Sequence, residues 1–520
     1  MKTALILFLL ALTIRVAAIL YWQFDGLYGQ DPYAYHQQAV AILQNLPKGQ
    51  PPPGDFFWPN GYPLLVAGLM VFVGPSTLAG QLAALLGGAL LAPLAYVLSR
   101  DLWRDEETAV QEHQNSMAMR IHRAGLLAGL TIAVAGQPIL SSVVVMSDSA
   151  ALFWATLAAW CVVRAMNQPD PQRSGAAARS SAWFLAAGAA MGLAIITRWI
   201  YLLVVPALGF YAIFKMIRNR QPWWQPTPAI LSGAVVLLPQ LWISLNKPEG
   251  LIHQYLLGWQ PGNFFQHGFD TADGLATYPL PMAVYYAQPA GHPAYIFPVL
   301  GLAALWAIWR LWRTRQWGSL ILLLGWAAPA YVFLAGITFQ NFRFGLILYL
   351  PLVILTGLGL SDIWEQFERR RSTTRSANLY SIPALRAIIA LCLLGMLIWA
   401  YFMLDTFLTT QNQSKIIARQ IEQILPPQAT LLTFGLTLTL QHYTGLNTLE
   451  FFYLDEPALK ALTEAHHSFY LLLDLQSVET QWQGRSPQRN YRWLQENTKL
   501  VETGVFSPYV LFEVDVPPGP

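Results

Sequence analysis

Gly29-Gln30-Asp31-Pro32-Tyr33-Ala34-Tyr35-His36-Gln37-Gln38-Ala39 begins a few residues after the first apolar segment of the chain ends. An aspartate is thereby held close to a membrane surface. Pro32 pre-sets helical φ and needs no amide partner, and Asp31 can accept hydrogen bonds from the free amides behind it, so a short helix starts here. From Tyr35 the apolar residues recur at Ala39, Ile42, Leu43 and Leu46, one face of a helix able to lie along a bilayer. Asp31 is then either a helix cap or a carboxylate presented at the water–lipid boundary to do chemistry.

Composition sets the solvent. Of 520 residues 55% are hydrophobic and only 11% charged, far from the balance of a soluble enzyme, so the chain reads as a polytopic α-helical membrane protein. Cys161 and Cys392 both fall inside apolar segments far apart in sequence, which indicates neither a disulfide framework nor a cysteine metal site. Nothing supports nucleic-acid binding. The net charge of +3 matters less than where the Lys and Arg residues fall.

The first apolar segment, residues 5–22, has no convincing small-residue cleavage site and is read as a retained span. Arg15 lies in its middle. A charge at mid-bilayer costs about 2.5–3.5 kcal/mol on insertion scales, so Arg15 is expected to face protein or a polar cavity, or to snorkel. Further apolar runs at 78–98, 124–140, 150–163, 183–196, 200–214, 229–245, 295–311, 320–337, 346–360 and 385–407 bring the expectation to about eleven spans. Arg100 to Arg123, Arg164 to Arg179, Lys215 to Arg220, Arg310 to Arg315 and Arg369 to Arg375 mark the cytoplasmic connections. The apolar stretch 62–73 is short, and counting it as a span would throw two of those basic loops outside, so it is read as a juxtamembrane or re-entrant helix. The N-terminus is then cytoplasmic and the C-terminus extracytoplasmic.

On this topology Asp31, Asp148, Arg198 and Arg343 come from four separate connections, yet all fall at the outer ends of spans. Each alone has a plainer use: Asp148 as the cap of a following helix, the arginines as interfacial anchors. Together they are two carboxylates and two guanidiniums on one face of a bundle, and a planar guanidinium fork suits a phosphate. After residue 407 the composition changes. Residues 408–520 carry no span and alternate short strands (430–434, 449–454, 469–475, 509–514) with helices (457–466, 490–497), a small extracytoplasmic α/β domain without a glycine-rich phosphate loop or nucleophile elbow. His466 and His467 read as solvated or capping residues. Domains are accordingly set at 1–407, with outer loops 23–61 and 246–292, and 408–520.

The ordered set Asp31-Pro32-Tyr33-Ala34-Tyr35-His36, then Phe57-Trp58-Pro59-Asn60-Gly61-Tyr62-Pro63, then Ser147-Asp148-Ser149-Ala150, then Thr197-Arg198-Trp199, then Asn341-Phe342-Arg343-Phe344-Gly345 resembles the C-type (GT-C) membrane glycosyltransferases. The branch is that of protein O-mannosyltransferases and lipid A aminoarabinose transferases, and the resemblance covers about residues 1–407. It implies transfer of a sugar from a polyprenyl-phosphate donor to a hydroxyl acceptor (protein, lipid or glycan) at the outer face of a cell's inner membrane, without a nucleotide or other cofactor. By the same resemblance Asp31 matches the first-loop acid that acts as base or orients the acceptor, and Asp148 the acid of the second outer connection. Arg198 and Arg343 match basic residues near the lipid phosphate. The family often has a second acid directly after the first, and here that position is Pro32, which puts any role for an adjacent acidic pair in doubt.

The chemistry can be stated independently. A hydroxyl must lose its proton as it attacks the anomeric carbon, and Asp31 is the candidate base; Arg198 and Arg343 are candidates to stabilise the departing phosphate. Tyr35, His36 and Arg15 are auxiliary candidates, His36 having the alternative of an ordinary surface histidine. In the long loop 246–292, His253, His267 and His292 match no metal spacing, so no obligatory metal is expected. Its aromatics, Trp259, Phe264, Phe265, Tyr285 and Tyr286, suit sugar stacking, a lid or membrane anchoring. A polytopic lipid or sugar transporter is the alternative class. It predicts half-sequence repeats, of which none is clear, and mid-membrane rather than one-sided charges.

Overall fold

The computed structural model describes residues 1–53, 56–104, 114–168, 176–245, 258–271, 273–373, 381–465 and 468–516. His253 and the His466–His467 pair lie outside the described residues. The chain divides into two compact units, one of residues 1–26, 34–264 and 282–405, the other of residues 27–33, 265–281 and 406–520.

The first unit is a helical bundle. Its helices are α1 (Lys2–Trp22), α2 (Asp31–Asn45, entered from the second unit), α3 (Gly61–Val73), α4 (Thr77–Arg104), α5 (Gln114–Val134), α6 (Gly136–Val143), α7 (Asp148–Met166) and α8 (Ala176–Thr197). They continue through α9 (Val205–Asn219), α10 (Thr227–Leu245), α11 (Met282–Ala287), α12 (Pro298–Arg313), α13 (Trp317–Gly336), α14 (Leu346–Thr373) and α15 (Ser381–Ile424), whose residues from 406 on belong to the second unit. Among the described residues ten helices are long and apolar enough to cross a membrane. This is a multi-pass membrane protein. The eleventh expected span, near 295–311, is α12, which has 16 residues and is about 24 Å long, short of the bilayer core. The helix α3, expected not to span, has 13 residues.

One expected span is broken. The run 124–140 is α5 followed by α6, interrupted at Ala135, whose backbone is extended. Pro138 sits in the first turn of α6, where its missing N–H is harmless, and the Gln137 N–H donates to the Ala294 carbonyl at 2.8 Å. The break leaves carbonyls at the end of α5 without helical partners. Arg15 meets two of them: its guanidinium, fully buried, donates to Ile132 and Ala133 carbonyls at 3.4 Å each and to Ala11 of its own helix at 3.0 Å. The mid-span charge is thus matched to acceptors stranded by a helix break.

The segment leading out of α1 is fixed to the bundle by Gln81, whose amide donates to Phe24 O (2.7 Å) and Val143 O (2.9 Å), and by the Val145 N–H, which donates to Gly26 O at 3.0 Å. Gly26 has φ +90°, and a Cβ there would lie 2.7 Å from Gln81 Cγ and 2.8 Å from Val145 Cγ2. Gly26→Ala is therefore expected to cost about 2–5 kcal/mol, the sum of backbone strain and overpacking, seen as a lowered thermal unfolding midpoint in detergent. An unchanged midpoint would show that this segment yields freely.

The second unit is built on a five-stranded sheet of order β4-β3-β5-β7-β6, with β3 (Thr430–Thr433), β4 (Asn447–Glu450), β5 (Ser468–Leu473), β6 (Lys499–Phe506) and β7 (Tyr509–Asp515). The pairings β3–β4 and β3–β5 are parallel; β5–β7 and β6–β7 are antiparallel. Alternating residues feed two cores, as the strand period requires. Leu432, Leu471, Leu473, Phe512 and Val514 pack with Leu459 and Leu494 on one face, and Leu431, Leu472 and Leu511 pack with Ile417, Ile421 and Leu440 on the other. The helices on those faces are α16 (Thr437–Tyr443), α17 (Glu456–Ala465), α18 (Leu475–Glu479) and α19 (Ser486–Asn497), together with the end of α15. Burial pushes the Glu450 carboxyl up, and burial reinforced by Asp474 pushes the Tyr509 hydroxyl up to about 12.

Two outer segments belong to this unit. The strands β1 (Gly268–Thr271) and β2 (Gly274–Thr277) pair antiparallel and join the domain through Leu275 N–H to Gln481 O at 2.7 Å and an Arg485–Asp270 ion pair at 2.5 Å. Asp270 therefore has a structural partner. The stretch 27–33 packs Tyr28 against Phe407 and Tyr33 against the rings of His442 and Tyr443.

Candidate functional site

Three of the four charged residues singled out by position converge on one turn of the bundle, residues 144–148 between α6 and α7. Asp148 is the first residue of α7, where the positive end of the helix dipole favours its charge. Arg198 ends α8 in extended backbone, just before a 3-10 segment, Trp199–Val204, that runs into α9. Its Nη1 donates to Asp148 Oδ1 at 2.9 Å and contacts Ser147 Oγ at 3.4 Å. The Arg343 Nη1 reaches Met146 Sδ at 3.3 Å. Both cations approach the Phe344 ring, whose centroid is 4.9 Å from the Arg198 guanidinium carbon and 5.7 Å from that of Arg343. The turn thus gathers two guanidiniums and one carboxylate.

The carboxylate is committed. With 3% of its side chain exposed, Asp148 shares Oδ1 with Arg198, while Oδ2 is buried with no hydrogen-bond partner among the described residues. Such a group orients its arginine more readily than it collects a proton from a passing hydroxyl.

Tyr35 joins the same cluster from α2: its hydroxyl is 3.1 Å from Ser147 Oγ and its ring packs edge-on to Tyr62 and Phe56. Tyr35, Arg198 and Phe344 border a cavity of about 250 Å³ whose other walls, Trp58, Pro59, Leu202, Leu203, Phe333 and Ile337 among them, are almost wholly apolar. A guanidinium at the edge of an apolar cavity suits a molecule with an anionic head and a hydrocarbon tail.

Arg343 is held from behind by Asn341, Tyr286 and Tyr295, of which sequence reading named only Tyr286 as a stacking or anchoring aromatic. Asn341 caps the 3-10 turn Phe342–Gly345 by accepting from the Arg343 N–H at 3.2 Å. The Tyr286 hydroxyl donates to Phe339 O at 2.7 Å and accepts from the Asn341 N–H at 3.2 Å, and the Tyr295 hydroxyl donates to Phe342 O. Burial raises the Tyr295 hydroxyl well above its ordinary range and lowers the His292 imidazole. The adjacent pair Tyr285-Tyr286 was the visible signal; its target, a backbone turn whose bonded residues lie 53 and 55 positions on, was not.

The remaining candidates are distributed as follows. Asp31 opens α2 and belongs, with Tyr33, to the second unit, whereas Asp148, Arg198 and Arg343 belong to the first. His36 is buried, 7% exposed, and is not the surface histidine that its setting in a polar loop allowed. Arg15 is occupied with backbone carbonyls, as described. Among the described residues no three His, Cys, Asp or Glu side chains gather in a metal-ligating cluster.

Comparison with known proteins adds the following. The profile of the family described as dolichyl-phosphate-mannose-protein mannosyltransferase matches residues 117–246. No curated protein matches in sequence. Among solved structures, ArnT from Cupriavidus metallidurans bound to undecaprenyl phosphate superimposes with a TM-score of 0.59 at 15% identity, over 97% of this chain and 97% of that one. The Archaeoglobus fulgidus oligosaccharyltransferase AglB, in complex with an inhibitory peptide and a dolichol-phosphate, gives a TM-score of 0.54 at 15% identity, over 92% of this chain and 70% of that one. The chain has the fold of the C-type membrane glycosyltransferases.

Proposed function

We propose that the protein transfers a sugar from a polyprenyl-phosphate donor to a hydroxyl acceptor on the extracytoplasmic side of a bacterial inner membrane. The observation that carries this reading is an apolar cavity bordered by Arg198 and by Phe344, the ring that both the Arg198 and Arg343 guanidiniums approach. Phosphate oxygens match the guanidinium forks and the isoprenoid chain matches the apolar walls. The match to a mannosyltransferase family over residues 117–246, and the polyprenyl phosphates held by the two solved relatives, support the same donor class.

In this reaction the acceptor hydroxyl gives its proton to the Asp31 carboxylate as its oxygen bonds to the anomeric carbon. The bond from that carbon to the phosphate oxygen breaks, and its electron pair leaves with the polyprenyl phosphate. Arg198 and Arg343 meet the charge that grows there. Attack from the face opposite the phosphate inverts the anomeric configuration. Asp148 acts by holding Arg198 in place, since one of its oxygens is already given to that guanidinium. Catalysis needs neither nucleotide nor metal in this scheme.

The test is turnover by purified, detergent-solubilised protein of a panel of polyprenyl-phosphate sugars, with cell-extract acceptors and mass spectrometry of the lipid. One donor is expected to be consumed with release of polyprenyl phosphate, at the same rate with and without a chelator. If no donor is touched, the transferase reading falls; if chelation abolishes turnover, the metal-independent scheme does.

A further inference from the structure

The lipid-facing helix α10 buries a single side chain, that of Gln240, one residue after Pro239. Around it Ile230, Val235, Leu238, Leu241 and Trp242 are exposed, as a helix against hydrocarbon requires. A polar amide in such a place is costly unless bonded, and this one is bonded to a distant segment. Its Oε1 accepts from both the backbone N–H of Asn60 (2.9 Å) and the Asn60 side-chain amide (3.4 Å), while its own amide donates to Ser244 Oγ at 3.2 Å. Asn60 Oδ1 in turn accepts from Gln38 of α2 at 2.7 Å, and the same Gln38 amide reaches Pro53 O at 3.4 Å.

Asn60 stands at a junction. Trp58 and Pro59, just before it, are walls of the apolar cavity. Gly61, just after it, lies against the end of α8: a Cβ on Gly61 would sit 2.5 Å from Ile196 O and 2.7 Å from Thr197 N. The start of α3 is therefore in backbone contact with the turn that presents Arg198. Whatever fixes Asn60 fixes both the apolar wall and its spacing from the cation.

We infer that Gln240 is a positioning residue for the donor cavity, acting through Asn60 on the Trp58–Pro59 wall beside Arg198. This rests on the reading of the cavity as the polyprenyl-phosphate site. A residue that merely tethers α10 would alter folding, turnover and acceptor use together; a residue that shapes the cavity alters donor binding alone. The acceptor atom is the essential one, so the substitution that keeps an oxygen at that position preserves the effect.

The probe is undecaprenyl phosphate, titrated against the full-length wild type, Gln240→Met and Gln240→Glu in detergent, followed by steady-state kinetics with whichever donor the wild type consumes. Gln240→Met is expected to bind undecaprenyl phosphate about tenfold more weakly and to raise the donor KM by a similar factor, with kcat and the acceptor KM little changed. Gln240→Glu, whose carboxyl oxygen still accepts from Asn60, is expected to recover most of that affinity. Wild-type affinity in Gln240→Met, an equal loss in Gln240→Glu, or a fall in kcat with unchanged donor KM overturns the inference. Should Gln240→Met not fold, Gln38→Met, which releases the same Asn60 from its other side, carries the test with the same expected loss. Failure of the wild type itself to bind undecaprenyl phosphate is a separate result: it removes the donor-site reading, and this inference with it.

Discussion

Asp31→Asn is expected to slow sugar transfer by about 10²–10⁴-fold at saturating donor while leaving folding and donor binding intact, the range for loss of a positioned general base. Asparagine is nearly isosteric and serves a helix start as well as aspartate does, so α2 keeps its beginning at Asp31 and its Pro32 first turn. What is lost is the capacity to hold a proton. Single-turnover rates with bound donor, alongside unfolding midpoints, separate these effects. Wild-type turnover in the folded variant would make Asp31 a helix-opening residue and nothing more.

Arg198 offers a test in which structure and chemistry can be pulled apart. Its partner Asp148 is 3% exposed, and Arg198 itself 15%, so Arg198→Met leaves a buried carboxylate without the guanidinium it is paired to. Breaking a buried pair in this way costs about 3–5 kcal/mol, with the low end favoured by the partial exposure of the arginine. Adding Asp148→Asn removes the stranded charge and is expected to restore most of the stability. Donor binding is expected to stay weak in both, by about tenfold or more, because the guanidinium fork is absent from both. Recovery of donor binding along with stability in the double variant would show that Arg198 serves the fold alone.

Apolar runs and the one-sided placement of charged residues made the bundle legible, because burying an unmatched charge in hydrocarbon is costly enough to leave a mark on the chain itself. Pairing was not legible. That Arg198 meets Asp148 depends on how α7 and α8 pack, and spacing along the chain carries no record of it. The same holds for Arg120, Arg123, Arg164 and Arg310, read only as markers of a cytoplasmic side. Each also forms an ion pair within the bundle, with Asp362, Glu368, Asp101 and Asp362 respectively.

The break between α5 and α6 did have a signal, Gly136 followed by Pro138, but an apolar run across it outweighed two residues. In the second unit the expected strands near 430, 449, 469 and 509 correspond to β3, β4, β5 and β7, while β6 was missed. Its burial alternates weakly at the sheet edge, where pattern is least informative. Gln240 was invisible for the opposite reason: one amide in an apolar run looks like tolerated noise until its partner 180 residues away is known.

The segment held by Gln240 and Gln38 has a further property. Between Leu46 and Asn60 it contains Pro47, Pro51, Pro52, Pro53 and Pro59. Each proline removes backbone freedom from the unfastened chain, about 0.4–1 kcal/mol apiece where the ring suits the local geometry. At those positions the chain has little disorder to lose, so a few amide hydrogen bonds are enough to hold Asn60 against the bundle. Its stiffness is written into the peptide, and the side-chain contacts have only to choose where it rests.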